Sequence, residues 1–485
     1  MKQTPDWLPT DGLVAVVKRD CPTCRAVVPA LRQLREAGLP LVLVTQDDPA
    51  FPEHLQPIHD ADLVGSHRLG VEVVPTLIER AGGANRRVAI GWHREQWQEI
   101  AGLADLAPGL PPARPGCGAL NVEEPHAGRL AALDSTPFAS RAVALGAAED
   151  PIEACFARGW SDGLPVVPPT RERVRRMLDG TRRPADELVA LVAPDYGEAT
   201  VEKVAINAVM AGCLPEHLPV VLACVEAACT DDFNWHGLAA TTYFSGPVVV
   251  VNGPLRKALD MGSGLNALGQ GNRANLTIGR ALQLTLRNIG GARPGEVDRA
   301  TLGNPGKLSF CFAEAEETSP WEPLARERGI PEGRSAVTLF AGEGPRGVVD
   351  QLSREPESLC RSLALALRAV AHPKLALAFD AMLVVSPEHA RVFREAGWSR
   401  ARLRERLLEL LEIPAAEMIR GAGGCAEGMP PALFADVESA TVPKFRPDGL
   451  LLVHAGGAAG LFSAIIGGWI NGAAGSRPVT REIRG

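Results

Sequence analysis

Short apolar runs alternate with amphipathic and turn-rich stretches along the first hundred residues. Residues 13–17 (LVAVV) are continuously apolar and bounded by polar positions, the pattern of a buried strand. Lys18-Arg19-Asp20 and then Cys21-Pro22-Thr23-Cys24 follow. Across residues 25–37 (RAVVPALRQLREA) apolar positions recur at helical spacing, with Gly38 placed as a C-cap. A second buried strand is expected after Pro40. Residues 70–78 then lead through Val74-Pro75-Thr76 to a hairpin around Gly82-Gly83 and a strand at 87–90, and residues 93–103 read as a closing helix.

Beyond this region the pattern changes twice. Residues 107–118 (APGLPPARPGCG) are rich in proline and glycine, the composition of a semi-extended connector. From about residue 130 helical and strand patterns interleave. Helices are expected at 151–158, 171–178, 201–211, 218–228, 274–289, 357–371 and 400–411, and strands at 188–193, 247–251, 309–312, 337–341, 381–385 and 450–454. Three strands run into turn residues and then an expected helix (VVVVNGP, MLVVSPEH, LLVHAGGAAG), which suggests parallel βα units with site loops at the strand carboxyl ends. The expected architecture is α/β: a domain at 1–106, a linker at 107–129, and a larger α/β region divided near 327–335 into lobes 130–330 and 331–485.

A chain of 485 residues is too long for one ordinary core, which agrees with that division. The net charge of −7 argues against a nucleic-acid partner, which needs a basic face. The N-terminal residues carry no apolar signal region. No apolar run reaches the ~20 residues of a spanning helix, the best candidate at 461–470 being broken by Gly467-Gly468. A cytoplasmic protein with no membrane partner is expected. Its ten cysteines are then mostly thiols, and Cys21–Cys24 is the only CxxC pair.

Strand, CxxC at a helix start, helix, strand, and Val-Pro-Thr before a further strand: over residues 10–104 the chain resembles thioredoxin. The resemblance implies Cys21 as attacking thiol, Cys24 as resolving thiol and Pro75 as a cis-proline beside them. Unpaired N–H groups and the dipole at a helix start favour a thiolate at Cys21. The Trp-Cys-Gly-Pro-Cys of many thioredoxins is here Asp20-Cys21-Pro22-Thr23-Cys24, which suggests a dedicated rather than general reductant. Residues 160–170 (WSDGLPVVPPT) and the stretch from Gly271 resemble uncharacterised bacterial proteins, a likeness that implies no chemistry.

Candidate chemistry in the larger region comes from its residues. Residues 261–275 (MGSGLNALGQGNRAN) open a helix after glycines, so Gly269, Gly271, Asn272 and Arg273 form a candidate anion site. Arg273, Arg280 and Arg287 recur every seven residues on one face, either gripping an anion or solvated. Gly456 and Gly457 after the strand 450–454 offer a second cradle. His236 is a candidate general acid/base, with Asp232 nearby either to orient it or to share a metal, although no metal motif is present. Glu314, just past a strand, is a candidate carboxylic acid/base. Cys117, Cys213 and Cys425 are candidate exchange partners for Cys21.

The functional expectation is a thiol-dependent oxidoreductase or lyase acting on a small anionic substrate. Its Cys21/Cys24 pair serves as a built-in redox-active disulfide regenerated by an external thiol reductant, with no other cofactor. Two alternatives stand beside it: a dithiol protein handling a soft metal or a partner without turnover, and a redox-independent hydrolase or lyase using His236 and Glu314.

Overall fold

The computed structural model describes residues 5–131, 138–146, 148–419, 437–469 and 475–484. They belong to two compact units, residues 1–137 and 138–485, with helices and strands in both.

The first unit is built on a five-stranded mixed sheet. β1 (Gly12–Val17) is its centre and pairs in parallel with β2 (Leu41–Thr45), which pairs in parallel with β3 (Ile58–His59). β4 (Val73–Val74) precedes β5 (Thr76–Ala81), which lies antiparallel on the other side of β1 and is followed by β6 (Ala84–Ile90) at the edge. The continuous apolar run of β1 is explained by burial on both faces: Val14 to Val17 have no exposed surface. The helices Val28–Glu36 and Arg94–Ala101 cover the sheet with Leu31, Leu34, Trp97 and Ile100, and Trp97 meets Trp92 edge-on at 5.2 Å between ring centres. The single helix expected over 25–37 is two, Pro22–Ala26 and Val28–Glu36. Pro29 lies in the first turn of the second, where its missing N–H costs nothing.

The expected linker at 107–129 is a correction. After β7 (Trp92–His93), β8 (Ala113–Arg114) pairs with it, and β9 (Cys117–Gly118) pairs antiparallel with β4, setting Val74 opposite Cys117. Asn121 donates to the Val71 carbonyl (2.7 Å) and accepts from Gln46 (2.8 Å), fastening the segment beyond. These pairings satisfy backbone groups that a solvated connector leaves to water.

The second unit has four layers. β10 (Leu188–Val192) and β11 (Gly197–Thr200) make a separate antiparallel pair. β12 (Gly246–Asn252), β13 (Cys311–Ala313) and β14 (Ala336–Gly342) belong to one four-stranded sheet. β15 (Arg346–Val349), β16 (Ala381–Val385), β19 (Leu450–His454) and β20 (Phe462–Gly467) make another, and β17 (Glu412–Pro414) pairs with β18 (Thr441–Pro443). β21 (Val479–Glu482) completes the first sheet, in the order β13-β12-β14-β21. The second sheet, read as β19-β16-β20-β15, repeats its pairing pattern, one parallel and two antiparallel contacts. Val248, Val250, Phe312 and Phe340 from one sheet share a core with Met382, Val384, Leu451 and Val453 from the other. The alternate residues Val249, Val251, Leu383 and Val385 point outward under helices: Val201–Ala211, Leu218–Ala228 and Arg273–Asn288 on one side, Pro356–Arg368, Pro387–Glu395 and Arg400–Leu410 on the other.

Two further expectations are corrected by this topology. Residues 130–330 do not close as a separate lobe, because β14 and β21 complete the sheet begun by β12. The sheets are mixed rather than parallel, and the glycine run after β19 leads into the strand β20 rather than a helix. Among the described residues no helix is long and apolar enough to cross a membrane.

Candidate functional site

The thiol site sits where β1 ends. The Asp47 carboxylate accepts from the amides of Arg19 (2.7 Å) and Asp20 (2.9 Å), fixing the turn that delivers the chain to Cys21. Cys21 is the N-cap of the helix Pro22–Ala26, in an extended conformation, and its sulfur accepts from the Cys24 amide at 3.3 Å. The same sulfur lies 3.4 Å from the carbonyl of Val74, immediately before the cis Val74–Pro75 bond.

The two thiols of the pair are electrostatically unlike. Burial opposes ionisation of Cys21. The Cys24 amide, the Cys117 and Cys24 thiols and the Thr23 amide outweigh it, and hold Cys21 below its ordinary value. Cys24 is driven far up by burial, although the Lys18 amide, 3.5 Å from its sulfur, works the other way. Ionisation is thus easier at Cys21 than at Cys24.

A third sulfur belongs to the same site. The pairing of β9 with β4 brings Cys117 to Cys21, and its thiol is raised, first by its hydrogen bond with the Cys21 sulfur and then by burial. Thr23 anchors the approach by donating to the Pro115 carbonyl at 2.6 Å. At Gly116 a Cβ would stand 2.4 Å from Val73 Cγ1 and 2.5 Å from the Val74 carbonyl oxygen, so only glycine permits this approach. Cys21 and Cys24 have no exposed surface, whereas Cys117 is partly exposed. In the sequence, Cys117 reads as a thiol on a free connector. Its pairing with Val74 was hidden because Arg-Pro-Gly-Cys-Gly has no strand pattern; the glycine beside the cysteine is the one signal of close packing.

The candidates in the second unit are placed differently. Arg273 opens the helix Arg273–Asn288 and donates through Nε to the Gly212 carbonyl (3.0 Å), capping the neighbouring helix. Asn272 caps its own helix by accepting from the Asn275 amide (3.0 Å), so that donor is already used. Arg280 holds Asp162 through two hydrogen bonds (2.8 and 2.7 Å), and Arg287 donates to the Gly159 carbonyl (2.8 Å). The three arginines therefore hold three different partners, Gly212, Asp162 and Gly159, rather than converging on one anion. The two glycine loops do meet: the Gly456 amide donates to the Ser263 carbonyl (2.9 Å), and a Cβ on Gly457 would stand 2.4 Å from Leu265. Gly457 thus serves close packing. Gly269 lies beside the Asn266 side chain, and Gly271 turns with φ of +117°.

His236 is exposed, and its Nδ1 lies 3.4 Å from the hydroxyl of exposed Tyr196, not against Asp232. Glu314 corrects the expectation of an available acid/base. It is wholly buried, one oxygen taking Arg400 (2.8 Å) and the other Asn252 (2.6 Å) and the Leu324 amide (2.7 Å). Burial raises its carboxyl, and Arg400 works against that. Both oxygens are engaged internally. Cys213 is buried, donates to the Thr277 carbonyl and is pushed up to about 12 by burial, so it makes a poor exchange partner. Cys425 lies outside the described residues. Among the described residues no group of three or more His, Cys, Asp or Glu side chains is arranged to hold a metal.

No family model matches the chain, and no curated protein matches it.

Proposed function

We propose that residues 1–137 form a thioredoxin-like thiol–disulfide exchange module in which three cysteines take part. The Cys21 thiolate attacks a disulfide R–S–S–R′, forming Cys21–S–S–R and releasing R′S⁻, which takes up a proton. Either Cys24 or Cys117 then loses its proton and attacks the Cys21 sulfur, releasing RS⁻ and leaving a disulfide on Cys21. The substrate disulfide gains two electrons and the module loses two, so turnover requires an external dithiol reductant.

The observation that carries this reading is the Cys21 sulfur: it caps a helix, accepts the Cys24 amide, and is held low while Cys24 is held high. The order β3-β2-β1-β5-β6 and the cis bond before Pro75 support the thioredoxin-like part. Support for Cys117 is its pairing opposite Val74, the manner in which an extended partner adds to a strand edge.

The test is mild oxidation of the full chain followed by peptide mass spectrometry. Cys24→Ser is expected to form an intramolecular Cys21–Cys117 disulfide. Cys24→Ser/Cys117→Ser is expected to retain an external thiol, such as glutathione, on Cys21. If Cys24→Ser already accumulates that adduct with no Cys21–Cys117 link, Cys117 has no part in exchange. If no variant modifies Cys21, the module reading fails.

A further inference from the structure

A cleft of about 520 Å³ in the second unit lies between the start of β12, the helix Arg273–Asn288 and the loops at 294–308. That volume is within the ordinary range for small-molecule sites. Two of its polar groups lack what burial ordinarily demands. Ser245, 1% exposed, has a hydroxyl with no hydrogen-bond partner, and Gln283 Nε2 is buried with none. Such groups cost free energy unless something supplies the missing bond.

Arg287 lines the same cleft. It lies one turn beyond Gln283 on the same helix face, and its guanidinium is given only the Gly159 carbonyl (2.8 Å) and the Asn288 side-chain oxygen (3.2 Å). Burial and the neighbouring Arg293 push it down from its ordinary value, Asp162 and Glu296 working the other way. The other charges lining the cleft are matched: Asp162 by Arg280 at 2.7 Å, and Asp298 by Lys307 at 2.7 Å. One cation is therefore left without a carboxylate. Gly246 lines the cleft beside Gln283 and Lys307. Trp235, Pro247 and Leu302 give the cleft an apolar wall.

We infer that this cleft binds a small monocarboxylate with an apolar body, its carboxylate received by Arg287 and the Gln283 amide and its remaining polar edge by the Ser245 hydroxyl. A single unmatched guanidinium suits the charge and planar shape of a carboxylate better than a phosphate dianion. This inference is independent of the thiol chemistry of the first unit.

The experiment is calorimetric titration of the full chain with benzoate, 3-phenylpropionate and pyruvate, and with 3-phenylpropionamide as the uncharged twin. At least one carboxylate is expected to bind, 3-phenylpropionamide at least about tenfold more weakly than 3-phenylpropionate, and Gln283→Leu to weaken carboxylate binding about tenfold. Ser245→Ala provides a second, smaller change at the same site should Gln283→Leu misfold. The proposal is overturned if none of the three carboxylates binds, if the amide binds equally well, or if the folded variants bind as the parent does. Saturable displacement of a bound carboxylate by inorganic phosphate at lower concentration would also overturn it, by assigning the cleft to phosphate.

Discussion

Cys21 and Glu314 occupy comparable places, each just past the end of a buried strand and each wholly enclosed, yet they are built for opposite ends. Around Cys21 the Cys24 and Thr23 amides and the Cys24 and Cys117 thiols favour a negative sulfur, beside the Val74 carbonyl at 3.4 Å. Around Glu314 an arginine, an asparagine amide and a backbone amide fill both oxygens. The first arrangement favours a sulfur free to form a new bond; the second spends the carboxylate in holding β13 to the helix Arg400–Leu410. Position at a strand end marks where chemistry is feasible, and the surrounding donors decide whether any remains.

The largest expected effect that tests this contrast is on Cys21. On the proposed exchange, Cys21→Ser should lower disulfide reduction by about a thousandfold or more in a dithiol-driven assay, because the attack would come from the Cys21 sulfur. Residual activity within tenfold of the parent points to Cys117 as the nucleophile.

Next comes Arg400→Met, which strands the Glu314 charge in the interior. A loss of about 3–5 kcal/mol in urea unfolding is expected, with Glu314→Leu/Arg400→Met recovering most of it. Unchanged stability of the single variant would show that Glu314 is not a closed pair.

A smaller effect concerns His454, buried beside the same cluster with Nε2 3.0 Å from the Thr318 hydroxyl. Burial lowers its imidazole to about 4. Between pH 6.5 and 4 the unfolded chain binds a proton that the folded chain refuses, so stability falls as pH is lowered through that window, by up to about 3 kcal/mol, and this contribution levels off below it. His454→Leu should flatten this part of the stability–pH curve. An identical slope in both proteins removes His454 from the account.

The smallest effect tests the segment over the thiol. Gly116→Val forces a side chain against Val73 and the Val74 carbonyl. The expected result is an approximately tenfold faster reaction of Cys21 with a bulky thiol reagent, from an overpacking strain of about 1–2 kcal/mol. An unaltered rate means the segment does not limit access.

Much of the second unit is legible from periodicity alone. The amphipathic stretch at 400–411 is the helix Arg400–Leu410, and the run at 381–385 is β16, because each buries a face that its pattern advertises. β20 escaped because Gly456 to Gly460 before it resembles a helix-opening turn; in the structure that run carries the chain back beside β16 as an antiparallel partner. β15 and β21 are short edge strands with polar, half-exposed positions, and their pairing depends on partners more than a hundred residues away. The site divides the same way. Cys21 and Cys24 are visible because their spacing is local, whereas the orphaned donors of Ser245 and Gln283 become visible only once a helix is laid beside a strand.

In the proposed exchange, the glycine-bearing segment that seats Cys117 opposite Val74 sets a threshold for access to Cys21. Being tethered, it competes at an effective local concentration of order millimolar without depending on how much protein is present. On the proposed exchange, a visiting disulfide that fits the strand edge poorly would not displace it, so discrimination among partners would be set in the resting state before any electron moves.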